Sequence, residues 1–275
     1  MRKFTLINAN GDEYDLTERK SFFHTVGGLG YERSNSYKYI GDSFTLLESR
    51  FKQPVISGSV YLGGDQTEYE RFILFSQIAP LKLKYEPIPG SEYFCKGHIT
   101  SVKYEEKDAR QVSISFTQTT PFYKVVAVAT YPEDAESDGK IYSYSYPYIY
   151  NSTVVNSVIL NLDSAIESPC KLSMYGPLEN PEWKHYVNNA LYATGKVLAT
   201  IARGNRLVVD TTGGEFTMRV YNPGNEVIAD LYQASDFSTA RAIYLQRGRN
   251  QIAISDDRAN KTIVTAEGEF RYASV

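Results

Sequence analysis

The sequence predicts a mainly β protein of two domains, and three observations carry that reading. Val112, Ile114 and Phe116 alternate with polar residues, the period-two pattern of a strand with one buried face. Tyr142, Tyr144, Tyr146, Tyr148 and Tyr150 repeat the same period later in the chain. Short apolar runs in the second half are separated by Pro181, Gly195, Gly204-Asn205, Gly213-Gly214, Pro223-Gly224 and Gly248, the turn spacing of a sandwich or jelly roll. Between the halves, Gln118-Thr119-Thr120 runs into Pro121, which cannot donate to a ladder and holds its predecessor extended. The domain boundary is therefore placed there, giving residues 1–123 and 124–275.

In chain order, Phe4 to Asn8 reads as a strand and Asn10-Gly11 as the positive-φ pair of a tight hairpin, with Tyr14-Asp15-Leu16 resuming the pairing. Phe22 to Val26 is strand-like. Gly27, Gly28 and Gly30 then open a polar loop running through Tyr31, Tyr37 and Tyr39, which contributes little to its own core and suits an arm laid on a neighbour. Phe44–Phe51 and Val55–Leu62 read as strands. Tyr69, Phe72, Ile73, Ser76 and Gln77 recur at helical spacing, predicting one helix over 67–79 that ends before Pro80. Strands follow over 81–85 and 93–104, and a charged hairpin tip over 105–110 leads into the strand that closes the domain. The second half opens with a run over 125–129 and an acidic loop over 132–139, and a short helical patch is expected around 229–235.

The chain has 23 tyrosines against three histidines and one tryptophan. Tyrosine suits half-buried sheet faces and interfaces, while histidine serves most catalytic and metal sites, so composition favours an interaction protein over an enzyme. A net charge of -3 with pI near 5.7 gives no phosphate-seeking surface. The basic N-terminus lacks the apolar core of a signal peptide and no run reaches membrane-spanning length, so folding in a cytoplasm is expected. Cys95 and Cys170 sit in apolar contexts and read as buried thiols.

Several motifs yield to plainer readings. Gly41-Asp42-Ser43 resembles the first block of the Gly-Asp-Ser esterases, but no histidine follows His185 to serve that serine, so a turn before a strand is the better reading. His24, His98, His185 and the cysteines do not lie at metal-ligand spacing, and the Gly27 region completes no dinucleotide fingerprint; no cofactor or metal is expected. Glu133, Asp134, Glu136 and Asp138 lack the surroundings of a calcium loop or glycosidase site. The tyrosine stripe from Tyr142 to Tyr150 is either an aromatic interface or a platform for stacking sugars, with Pro147 marking an edge or irregular strand.

Taken in order, the Gly27–Tyr39 loop, Ile56-Ser57-Gly58-Ser59-Val60, the single helix, Phe116-Thr117-Gln118-Thr119-Thr120-Pro121-Phe122-Tyr123, Tyr146-Pro147-Tyr148-Ile149-Tyr150, Pro169–Gly176, Asn180-Pro181, Gly204–Thr211 and the Gly248-Arg249-Asn250 turn resemble the distal tail proteins of long-tailed phages over nearly the whole chain. That resemblance implies an N-terminal tail-tube-like β-barrel or sandwich with one flanking helix, and a C-terminal galectin-like β-sandwich. It implies a non-enzymatic homo-hexamer whose ring joins the tail-tube protein to the tail-associated tip protein, with receptor-binding protein attached outside. The protein would assemble in the host cytoplasm and lie at the distal end of the virion tail, with no membrane or sequence-specific nucleic-acid partner. The alternative function is a carbohydrate-binding β-sandwich that uses Tyr142–Tyr150 as its platform.

Overall fold

The computed structural model describes residues 2–18, 20–63, 66–104, 111–130, 156–258 and 262–275. These residues form a mainly β structure whose strand pairings are antiparallel. The chain divides into two compact units, Met1–Lys124 with Arg271–Val275, and Val125–Phe270.

The first unit contains β1 (Lys3–Ile7), β2 (Glu13–Asp15), β3 (Thr17–Glu18), β4 (Ser21–Gly27), β5 (Arg33–Ile40), β6 (Ser43–Phe51), β7 (Val55–Tyr61), α1 (Gln66–Ser76), β8 (Leu81–Glu86), β9 (Tyr93–Tyr104), β10 (Gln111–Gln118) and the start of β11 (Phe122–Thr130). One sheet runs in the order β2-β1-β8-β9-β10-β7-β4-β3. Leu16 N–H donates to Phe4 O at 2.8 Å and Phe23 N–H donates to Leu16 O at 2.9 Å, so the two ends of this path meet and the sheet curls back on itself. Closure leaves fewer unpaired edges.

The alternation in β10 is the packing rule of that sheet. Val112, Ile114 and Phe116 are all buried, opposite Val60, Gly58 and Ile56 of β7. Phe4 stacks on Tyr85 with centroids 4.7 Å apart and meets Phe23 edge to face at 5.3 Å. The helix predicted over 67–79 is present as Gln66–Ser76 and lays Phe72 fully into this core, with Tyr69 and Ile73 packed beside it. Tyr14 OH donates to Glu68 Oε1 at 2.8 Å, and burial together with that carboxylate pushes the phenol pKa well above its usual range. A turn forms after β1 as expected, but with Gly11 at φ 88° and Asn10 outside the positive-φ region in place of a positive-φ pair, and Asn8 Oδ1 accepts from the Asn10 and Asp12 N–H groups.

The second unit continues from β11 through β12 (Asn156–Leu162), β13 (Ser168–Tyr175), β14 (Leu178–Glu179), β15 (Glu182–Val187), β16 (Ala190–Lys196), β17 (Thr200–Ile201), β18 (Arg206–Asp210), β19 (Thr217–Tyr221), β20 (Val227–Asp230), β21 (Tyr244–Leu245), β22 (Gly248–Ser255) and β23 (Val264–Tyr272). Its strands pair as β20-β19-β18-β13-β23 and as β12-β22-β15-β16. Leu172, Met174, Leu207, Val209, Met218 and Val264 from the first set, and Leu160, Trp183, Ile252 and Ile254 from the second, are all buried. The helical patch expected around 229–235 reduces to a single 3-10 turn at Tyr232–Ala234.

Asn250 explains why the Gly248-Arg249-Asn250 turn has its form. It is fully buried; its Oδ1 accepts Gln246 N–H at 2.9 Å, its Nδ2 donates to Gln246 O at 2.7 Å and Gly248 O at 3.0 Å, and Oδ1 also meets His185 Nε2 at 3.0 Å. One amide side chain thereby pairs three backbone groups of a half-buried turn. Cys95 and Cys170 are buried free thiols, and burial pushes the Cys170 pKa to about 12.

Candidate subunit-contact arm

Residues 33–51 form a hairpin that pairs with itself alone. The sequence suggests a loop through Tyr39; instead β5 and β6 make a separate two-stranded sheet, with Tyr37 opposite Leu46 and Tyr39 opposite Phe44. The correction has a simple cause. No residue of β5 is buried, so its Ser, Asn and Lys positions carry no hydrophobic alternation, and cross-strand pairing alone makes it a strand.

The connection is the tight turn Ile40-Gly41-Asp42-Ser43, with Gly41 at φ 67° supplying the backbone a short hairpin needs. Ser43, the residue of the esterase-like block, is exposed at this turn and donates to Ile40 O at 3.4 Å. His185, the last histidine, is buried in the second unit against Asn250.

The base is fixed on both sides. Lys52 N–H donates to Glu32 O at 2.9 Å, and the Lys52 ammonium meets the Glu32 carboxylate at 3.0 Å. Gln53 Nε2 donates to Gln118 O at 2.9 Å, tying the returning strand to the end of β10. Among the glycines read as hinges, Gly27 ends β4 opposite Ser57, beyond a register shift. Gly28 has φ 84°, and a Cβ there would lie 2.0 Å from Val55 O, so glycine is required both by conformation and by space. Gly30 has open space around it. Leu29 between them packs on the core and anchors the exit of the arm.

The two faces of the hairpin differ. Residues 33, 35, 37 and 39 share one face with their partners Phe51, Ser49, Leu46 and Phe44. On it Tyr39 and Phe44 lie 5.0 Å apart, Asn35 Nδ2 donates to the Tyr37 hydroxyl at 3.1 Å, and Arg33 Cζ lies 4.2 Å over Phe51. Tyr31 meets the same Phe51 edge to face at 5.5 Å, so the stripe continues past the base. The opposite face carries Ser34, Ser36, Lys38, Thr45, Glu48 and Arg50, with Ile40 near the turn. Tyr31, Tyr37, Tyr39, Phe44, Leu46 and Phe51 are each about half or more exposed. Among the described residues this face stays in water, an exposed apolar patch of the kind that marks interaction sites.

The structure thus brings Tyr31, Arg33, Tyr37 and Tyr39 of the expected loop together and adds Phe44, Leu46 and Phe51, which the sequence places in a separate strand. Their signal was the Phe44–Leu46 alternation facing the Tyr37–Tyr39 alternation across a Gly-Asp turn. The stripe Tyr142, Tyr144, Tyr146, Tyr148 and Tyr150 and the acidic loop before it lie outside the described residues. Among the described residues, no group of three or more His, Cys, Asp or Glu is placed to hold a metal ion, and no helix is long and apolar enough to cross a membrane.

The family model of the distal tail protein N-terminal domain matches residues 3–122. The whole fold is similar to a chain of the phage p2 baseplate in its activated conformation with Sr, at 14% identity and TM-score 0.65, covering 100% of both chains. It is also similar to the Dit protein of phage SPP1, described as a hub adsorption apparatus of phages that infect Gram-positive hosts, at 12% identity and TM-score 0.63, covering 97% of this chain and 98% of that one. A search of curated protein sequences finds no match. Residues 3–122 thus carry the distal tail protein N-terminal domain, and the chain along its length shares the fold of these phage baseplate and hub proteins.

Proposed function

We propose that this protein forms a hexameric ring at the distal end of a phage tail. The ring joins the tail-tube protein to the tail-associated tip protein and carries receptor-binding protein on its periphery. The carrying observation is the β5–β6 ribbon, whose aromatic face is left exposed among the described residues. In a closed ring each arm lies on the next subunit, so every arm is buried once and none is left over. The fold neighbours support the setting, being baseplate and hub adsorption proteins.

The domains at 1–123 and 124–275 divide this labour, with the first making the ring and the second, galectin-like in architecture, facing outward. The mechanism is assembly: apolar and tyrosine-rich contacts hold a fixed symmetry, and no bond is made or broken. The chain folds in the host cytoplasm and ends in the virion.

The test replaces 33–51 by a two-residue turn joining Glu32 to Lys52, whose backbones already meet at 2.9 Å. Light scattering should give rings of six times 31.0 kDa for the intact chain and a folded monomer for the variant. Rings formed equally well by the variant would remove the arm from the interface.

A further inference from the structure

The second unit holds a guanidinium whose buried Nε has no acceptor among the described residues. Arg241 Cζ lies 3.9 Å from the ring centroid of Phe237, 4.9 Å from that of Tyr232 and 5.8 Å from that of Phe216. Tyr232 meets Phe237 edge to face at 5.6 Å and Phe216 at 6.1 Å, so the rings form one cluster about the charge. The backbone beneath is anchored by Trp183 Nε1 donating to Arg241 O at 3.0 Å. Aromatic faces attract the cation and fix its plane, but they satisfy none of its five N–H donors. Arg241 Nε is buried without a hydrogen-bond partner among the described residues; the Asp236 carboxylate accepts Ser238 N–H at 2.8 Å, which with the charge of Arg241 helps hold its carboxyl below the usual range.

Neutral donors accompany the charge. Thr239 Oγ1 and Thr194 Oγ1 are also buried without partners, and Thr194 N–H donates to Ala240 O at 3.2 Å, which brings both threonines to the backbone beside Arg241. A cavity of about 510 Å³ opens here, lined by Tyr192, Phe216, Thr239, Arg241 and Tyr244 among others. Tyr192 and Phe237 are about half exposed.

Each feature asks something of an occupant. The guanidinium fork asks for two coplanar anionic oxygens, the threonine hydroxyls ask for polar hydrogens or lone pairs, and the exposed rings ask for an apolar C–H face. A bare acidic side chain answers only the first. We propose that the pocket around Arg241 binds a saccharide residue bearing a carboxylate, with the carboxylate on Arg241, a hydroxyl on Thr239 and a sugar face on the aromatic rim.

Titration of the full chain with glucuronic and galacturonic acids, followed by saturation-transfer NMR and calorimetry, tests this. Expected is saturable binding of at least one uronate, with glucose and galactose weaker by about tenfold or more, the loss of one charge-assisted contact. Arg241→Gln should reduce uronate binding by a similar factor, and Phe237→Ala by about threefold or more, with circular dichroism melts reporting that each variant is folded. Should Arg241→Gln not fold, Arg241→Lys keeps the charge but loses the fork, and is expected to bind uronate more weakly. No saturable uronate binding, equal binding of the neutral sugars, unchanged binding by a folded Arg241 variant, or acetate or a glutamate-rich peptide binding as tightly as uronate would each overturn the proposal.

Discussion

Converting Phe44 and Leu46 to serine together is the sharpest probe of the arm. Phe44 is 73% exposed and Leu46 51%, so the isolated subunit loses almost no packing when they change. Such surface substitutions cost about 0.5 kcal/mol or less, a shift of about 2 °C or less in melting temperature. At an interface the same side chains behave otherwise. The exposed part of an aromatic side chain near 200 Å² is about 150 Å² for Phe44, and Leu46 adds about 90 Å². At about 25 cal/mol per Å² this is an upper bound of about 6 kcal/mol per contact, of which about half survives the costs of ordering and desolvation. A loss of about 3 kcal/mol weakens each contact about a hundredfold. Sedimentation velocity at rising concentration should therefore show the variant remaining monomeric where the parent chain has closed into rings. The reasoning is refuted if parent and variant assemble over the same concentration range, or if the variant monomer melts more than about 5 °C lower, which would make these residues part of the subunit's own core.

Further outcomes follow from other positions. Gly28→Ala forces a Cβ to within 2.0 Å of Val55 O at φ 84°, and should lower the stability of the first unit by about 2 kcal/mol or more in denaturant titration. Asn250→Ala should cost about 3 kcal/mol by the same assay, because the half-buried Gln246 and Gly248 backbone groups lose their partners together. His185 is buried and its pKa is depressed by burial, so the unfolded chain takes up its proton first. The stability it protects is complete above about pH 6.5 and falls, by at most about 1.4 kcal/mol per pH unit, as pH drops toward the folded value. The carboxylates of Glu86, Asp236 and Asp257, whose pKa values are lowered, add losses only at more acidic pH, and His185→Gln should flatten the first slope in pH-dependent melts. Cys95 and Cys170 should stay unreactive to a thiol reagent in the folded chain and react on unfolding, since burial raises both thiol pKa values.

What could be read from the sequence was what burial writes into it. Val112, Ile114 and Phe116 alternate because every second residue of β10 enters a core, and Phe72 marks its helix because only one face of α1 packs. The arm escapes this logic, for no residue of β5 is buried, so the core leaves no alternation on it and the string reads as polar loop. Even so, Tyr31, Tyr37 and Tyr39 stood out as aromatic residues without a core to fill. The Arg241 pocket had no local trace at all. Its residues come from β16, the strand start near Phe216, the 3-10 turn and the segment after it, and only the tertiary fold sets them side by side.

The isolation of β5 and β6 from every other strand has a consequence for timing. A two-stranded ribbon without a second layer is only marginally stable in water, and this one leans on the barrel only through its base around Glu32, Lys52 and Gln53. In an isolated subunit the ribbon should therefore fray readily and admit a protease, and in the proposed ring seating on a neighbour would supply its missing layer. In the ring proposed above, closure would finish the folding of each arm, and an incomplete ring would keep a soft end, so that assembly and quality control would fall on the same stretch of chain.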